Sequence, residues 1–136
     1  MGAMVVLIVE DEVLIGLGLH VVLSLAGYQV RGPAASVVSA LAIAAEEAPD
    51  VVLVDVNLAG HGEGLELART LRDRHGSTII FLTAQPDRAR EARDIALGVI
   101  TKPYDPQTPV RAVEIAAEAR AGRVVSRAPR GLELFT

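Results

Sequence analysis

The sequence predicts an α/β protein built on a doubly wound, five-stranded parallel sheet. Three observations carry this reading: five short apolar runs, longer segments of helical spacing between them, and turn residues at the joins. Runs such as Val5 to Val9 and Val51 to Val54 are nearly continuous in Val, Leu and Ile, which implies strands covered by helices on both faces. The chain has 136 residues, 51% hydrophobic and 22% charged, and that balance fits one globular core. A domain of this size buries roughly 68% of the surface its unfolded chain exposes, so no disulfide or structural metal is required.

Taken in order, the expected strands are Val5 to Val9, Tyr28 to Arg31, Val51 to Val54, Thr78 to Leu82 and Val99 to Thr101. Leu14, Leu17, Val21 and Leu25 step by three and four, which predicts the inward face of a first helix ending at Gly27. Val37, Leu41, Ala44 and Ala48 do the same for a second helix, stopped by Pro49. A third runs from Glu63 to His75, with Leu67, Ala68 and Leu71 inward, Arg69, Arg72, Asp73 and Arg74 outward, and Gly76 at its end. The segment from Pro86 to Leu97 has only Ala89, Ala92 and Ile95 to bury, so it predicts a short, mobile fourth helix. Asp105-Pro106 supplies a cap and first position for a last helix, with Val110, Val113 and Ala117 inward and an end near Gly122. The expected domain is therefore 4–122, followed by a tail, 123–136, too short for an output domain.

Composition excludes several function classes. A net charge of −4 and a pI near 5.3 disfavour nucleic acid or an anionic membrane as the main partner. With 3% aromatic residues there is little material for stacking on bases. Zero cysteines remove thiol chemistry and fit a reducing, cytoplasmic setting. His20, His61 and His75 lack ligand-like spacing and are expected as solvated surface residues. No run reaches the roughly 20 apolar residues of a bilayer span, and the start, Met1-Gly2-Ala3-Met4, is no signal peptide.

In a doubly wound sheet, ligands bind beyond the carboxyl ends of the strands, where strand order reverses. Glu10, Asp11 and Glu12 follow the first strand and Asp55 ends the third. Converging carboxylates repel unless a cation or proton offsets them, and Mg²⁺ is the hard, oxygen-seeking ion that suits such a cluster. Taken alone, the acidic triplet could equally cap a helix. The fourth strand, however, ends at Thr83 and the fifth at Lys102. A cation, a carboxylate, a hydroxyl and an ammonium on one rim fit a phosphoryl group attached to, or arriving at, a carboxylate.

Through Leu7-Ile8-Val9-Glu10-Asp11-Glu12, Val54-Asp55, Thr83-Ala84 and Lys102-Pro103, the chain resembles the receiver domain of two-component response regulators. The resemblance covers about Met4 to Gly122 and implies a flavodoxin-like (CheY-like) fold with strand order 2-1-3-4-5. It also implies that Asp55 accepts phosphate from a histidine kinase or histidine phosphotransfer protein. Glu10, Asp11, Asp55 and the Asn57 backbone carbonyl would hold Mg²⁺, while Thr83 and Lys102 would contact the phosphoryl oxygens. Asp55-Val56-Asn57-Leu58 and Gly32-Pro33-Ala34-Ala35-Ser36 look like the single-domain receivers of the FAT GUY type, which work with HWE-type kinases. Ala84 stands where that group has Gly, and Gln85-Pro86 lacks its aromatic ending. Val99 occupies the place of the usual aromatic switch residue.

Two other readings compete with a phosphoacceptor switch. A haloacid-dehalogenase-like phosphohydrolase also needs an Asp, a Thr and a Lys, but carries a second Asp two residues after the nucleophile, where this chain has Asn57. An interaction module that works without phosphorylation would have no use for the full rim set. Gly60-His61-Gly62-Glu63-Gly64 lacks the Lys-Ser/Thr of a nucleotide loop and reads as a flexible turn. Arg88, Arg90 and Arg93, like Arg127 and Arg130, read as solvated faces.

Overall fold

Apolar residues that alternate between two covered faces decide the architecture. The computed structural model describes residues 3–60 and 62–135, so the expectations for Met1, Gly2, His61 and Thr136 lie outside the described residues. The strands are β1 (Val5–Val9), β2 (Gln29–Ala34), β3 (Val51–Asp55), β4 (Thr78–Thr83), β5 (Gly98–Thr101) and β6 (Leu132–Leu134). The helices are α1 (Val13–Leu25), α2 (Val37–Glu46), α3 (Glu63–His75), α4 (Pro86–Arg90) and α5 (Gln107–Arg120). One sheet runs in the order β2-β1-β3-β4-β5-β6, the first five parallel and β6 antiparallel to β5.

Side chains on a strand point alternately to opposite faces, and the core divides accordingly. Leu7, Val9, Val52, Val54, Ile79 and Phe81 pack with α2, α3 and the α4 region on one side. Val6, Ile8, Leu53, Ile80, Leu82 and Ile100 pack with α1 and α5 on the other. Order reverses between β1 and β3, and the pair Val9–Val54 brings Glu10 and Asp55 out side by side. Asp55 pairs with Leu82 and Thr83 with Thr101, which sets Thr83 and Lys102 along the same rim.

Several helical faces differ from the spacing-based expectation. On α1 the set Leu14, Leu17, Val21 and Leu25 faces outward, at 84%, 51%, 55% and 83% exposure, while Gly16, Leu19 and Leu23 are buried. The helix has apolar residues all round, so two stripes satisfied the same period. Gly16 lies on the inner face, where a Cβ would collide with Pro33 on β2, so glycine permits the close approach of this face to the sheet. On α2 the buried positions are Ala40 and Ala44, with Val37 and Leu41 half-buried and Ala48 exposed beyond the helix end. Ser36 caps that helix by accepting from the Ser39 amide at 3.1 Å. On α5, Val113 is buried as expected, whereas Val110 and Ala117 are half-buried and Ala112, Ile115 and Ala116 take the inner face. Asp105 Oδ1 accepts from the Gln107 amide at 2.8 Å, so α5 starts one residue later than expected. The α3 faces agree, and Gly76 closes that helix with φ +67°.

The fourth helix is as short as its composition predicts, five residues followed by turns, with Ala89, Ala92 and Ile95 buried. The sixth strand was not expected. Leu132 and Leu134 pair with Ile100 and Gly98, Phe135 donates its amide to the Leu97 carbonyl at 2.8 Å, and the edge of β5 is thereby covered. Among the described residues no helix is long and apolar enough to cross a membrane.

Candidate functional site

Each strand end at the β1/β3 reversal contributes one polar side chain. Glu10 follows β1 and is 2% exposed; its backbone amide donates to the Ala34 carbonyl at 2.9 Å, and its Oε2 accepts from the Glu12 amide at 3.2 Å. Asp55 closes β3 and is 6% exposed, with Oδ1 accepting from the Asn57 amide at 3.0 Å. Lys102 reaches in from β5, and its Nζ donates to Glu10 Oε1 at 2.7 Å and to Asp55 Oδ2 at 3.4 Å, with Glu12 at 3.7 Å. Thr83 is buried at the end of β4, where its Oγ1 accepts from the Gln85 amide at 2.9 Å.

Glu10, Asp11 and Asp55 each offer a carboxylate oxygen, and the three lie within 4.8 Å of one another. This is the set expected for a hard cation, and among the described residues it is the only such cluster. Asp11 is exposed, and its Oδ2 accepts from the Ala59 amide at 3.1 Å. Ala59 has φ 59°, a left-handed conformation that costs a non-glycine residue about 1–2 kcal/mol, so the turn after β3 is held by its hydrogen bonds. The Asn57 carbonyl, the expected fourth metal ligand, accepts from the Gly60 amide at 2.7 Å, and a carbonyl oxygen has a second lone pair for a cation.

Burial dominates the electrostatics. It pushes the Glu10 carboxyl up to about 7, against the lowering effect of its hydrogen bond to Lys102, and the Asp55 charge adds to the rise. Burial pulls Lys102 down, yet the hydrogen bond it donates to Glu10 and the charges of Glu10, Asp55 and Glu12 leave its ammonium above the ordinary lysine value. Burial also lifts the Tyr104 hydroxyl to about 12, with Glu10 contributing. The ammonium therefore sits between the two buried carboxylates and offsets their repulsion.

The structure brings Glu10, Asp11, Asp55, Asn57, Thr83 and Lys102 to one rim. Two neighbours escaped the sequence reading. Gly64 lies inside α3, as the expected start at Glu63 placed it, but its contact was not foreseen: a Cβ there would overlap the Asp55 carbonyl, so glycine lets α3 start against the strand end. Arg88, read as part of a solvated face, is half-buried and donates to Asn57 Oδ1 at 2.9 Å. Neither position has a local signature, since both depend on contacts between distant elements. Arg90 pairs within the molecule, with Asp87 and Glu133, and Arg93, Arg127 and Arg130 are exposed as expected. His20 is half-buried, with Nδ1 3.0 Å from the Gly32 carbonyl, and His75 is half-buried as well.

The family model for the response regulator receiver domain matches residues 6–114. The chain belongs to this family. As a receiver it is 33% identical over 114 residues to the transcriptional regulatory protein PdtaR of Mycobacterium tuberculosis, which covers 82% of this chain and 55% of that protein. It is 34% identical over 103 residues to the phyllosphere-induced regulator PhyR of Methylorubrum extorquens, covering 74% of this chain and 39% of the relative. This receiver thus spans about half the length, or less, of these curated relatives. Chemotaxis response regulator CheY4 of Vibrio cholerae superposes with a TM-score of 0.74 and 28% identity over 84% of this chain and 98% of that one. The receiver domain of NtrX from Brucella abortus gives 0.77 and 30% over 83% and 98%. Receivers bind Mg²⁺ at an acidic pocket and work with a histidine kinase or phosphotransfer partner in two-component signalling, and the acidic cluster here fits that ion.

Proposed function

We propose that this receiver is a phosphoacceptor switch in which Asp55 takes a phosphoryl group from a phosphohistidine. The observation that carries the reading is the Lys102 ammonium lying between buried Glu10 and Asp55, beside the carboxylate cluster. An Asp55 carboxylate oxygen attacks phosphorus, a P–O bond forms as the P–N bond breaks, and the released imidazole nitrogen takes up a proton from solvent. Lys102 stands ready to meet the charge gathering on the phosphoryl oxygens, and the Thr83 hydroxyl lies on the same rim. Glu10, Asp11 and Asp55, with the Asn57 carbonyl, would hold Mg²⁺, which supplies charge neutralisation at phosphorus when bound. The switch catalyses only its own phosphorylation and dephosphorylation, and residues 4–122 form the body of the receiver unit, its sheet completed by β6, in a cytoplasmic setting.

The partner is a histidine kinase or histidine phosphotransfer protein that presents a helix to α1. The exposed stripe of Leu14, Leu17, Val21 and Leu25 carries no charge, and beside it an apolar groove of about 600 Å³ opens between α1 and Tyr104 and Pro109. Glu12, Ala84 and Lys102 also line the groove, so a helix seated there brings its histidine to the rim. The HWE class of kinase rests on the subgroup motifs alone.

The test is phosphoryl incorporation from acetyl phosphate with Mg²⁺, read by intact mass. Wild type should gain one phosphoryl group and Asp55→Asn none; equal incorporation in the variant would overturn the assignment. Leu17→Asp should accept phosphate from acetyl phosphate normally but at least about tenfold more slowly from a phosphorylated histidine phosphotransfer protein, because a charge enters an apolar contact.

A further inference from the structure

The site is tied to α4 by two threads. One is local: Thr83 Oγ1 accepts from the amide of Gln85, the residue that precedes α4. The other is long-range: from α4, Arg88 Nη1 donates to the Asn57 side-chain oxygen at 2.9 Å, and the Asn57 amide in turn donates to Asp55 Oδ1 at 3.0 Å. Two hydrogen bonds therefore connect a guanidinium on α4 to the carboxylate proposed to take the phosphate. The Arg88 guanidinium lies directly against Gly62, whose φ of +71° favours glycine in the turn that leads into α3. The helix that carries Arg88 is five residues long with Ala89 as its buried side chain, so little apolar packing resists its displacement. On β5 the rim lacks a large side chain that could move, since Val99 is fully buried between Phe81 and Glu133 in the sheet.

We propose that Arg88 is a positioning residue through which α4 and the Asp55 carboxylate report each other's state, a role that rests on the phosphoacceptor reading above. Lys102 approaches Asp55 from β5, whereas Arg88 approaches through the turn after β3. Phosphorylation replaces the single negative charge of the Asp55 carboxylate with a phosphoryl group carrying roughly −1.5 to −2 and three strong acceptor oxygens, which draws a guanidinium with five donors away from a neutral amide oxygen. The displacement of Arg88 is the displacement of α4. Coupling of this kind is reciprocal: whatever holds α4 also holds Asn57, and with it the orientation of Asp55 Oδ1.

The test compares the full chain with Arg88→Ala, Arg88→Lys, Asn57→Ala and the Arg88→Ala/Asn57→Ala double variant. Incorporation from acetyl phosphate with Mg²⁺ is followed by intact mass, and hydrogen exchange over residues 84–97 is measured before and after. Wild type should show a phosphorylation-dependent change in that segment. Arg88→Ala should still be phosphorylated, but its change should shrink at least about twofold, with Lys intermediate and the double variant no worse than either single one. A merely structural role would lower stability and leave the phosphorylation-dependent difference intact. If Arg88→Ala is phosphorylated and shows the full change, or if the two substitutions add, the inference is overturned. If Arg88→Ala does not fold, the same criterion is applied to Arg88→Lys. If wild type takes no phosphoryl group, the phosphoacceptor reading fails first and the inference falls with it.

Discussion

Glu10 and Lys102 show how one buried pair sets the behaviour of a rim of acids. With its carboxyl at about 7 against an ordinary value of 4.5, Glu10 in the folded chain keeps a proton that the unfolded chain has lost. Across that window the folded state binds more protons, so metal-free stability falls as pH rises from about 4.5 to about 7. Thermal unfolding without Mg²⁺ should show this decline, Glu10→Gln should flatten it, and saturating Mg²⁺ should offset it. Lys102→Ala would be a small loss for a lysine standing free at an exposed rim, but this side chain is only 14% exposed and pairs with a fully buried Glu10 carboxylate. The variant should therefore lose about 1–3 kcal/mol at about pH 8, and less at about pH 5 where Glu10 is protonated. Asp11, by contrast, is exposed, and its loss should cost only the hydrogen bond to the Ala59 amide, about 0.5–1.5 kcal/mol, while Mg²⁺ affinity drops at least about tenfold by titration calorimetry. The chemical identities of these residues were legible from their places after apolar runs. The depth of Lys102 was not, because it depends on how β5 and β1 converge on the rim.

At the scale of elements, legibility followed the contrast between faces. On α3, arginines and an aspartate mark the outer side and three apolar residues the inner, so the orientation could be read directly. On α1 that contrast is missing, since apolar residues run all round it, and the face that packs on Pro33 through Gly16 could not be told from its opposite. The α4 segment was legible as weak because it has so little to bury, but its anchors are side chains that had looked merely solvated. Arg90 donates to both Glu133 oxygens, at 3.1 and 3.0 Å from Nε and 2.6 Å from Nη2, and so fastens α4 to β6. This hydrogen bond holds the Glu133 carboxyl below the ordinary value, so its contribution is present above that value and fades as pH falls through the depressed one. Protection of the β6 amides against hydrogen exchange should accordingly weaken in acid, and Arg90→Ala should weaken it at neutral pH. Unchanged protection in that variant would mean that backbone pairing alone retains the strand.

Across the whole molecule, the parallel sheet was legible because five apolar runs and their spacers leave few ways to bury both faces. The sixth strand was not, since three residues after Gly131 carry no periodic signal and are fixed by pairing with a strand that must already exist. Its presence matters for what happens at the margins of the sheet. An open strand edge is a template for other chains, and folded proteins blunt such edges with charge, proline or brevity. On one side β2 contains Arg31 and Pro33, and on the other β6 is only three residues long with exposed Glu133 between its leucines. Without residues 132–136 the terminal strand would be β5, whose Val99 and Ile100 are fully buried in the intact chain. A chain shortened at 131 should therefore aggregate, with light scattering and thioflavin fluorescence rising at concentrations where the full chain stays clear. The short sixth strand would then serve as a solubility device, protecting the fold from the self-association that its own sheet chemistry invites.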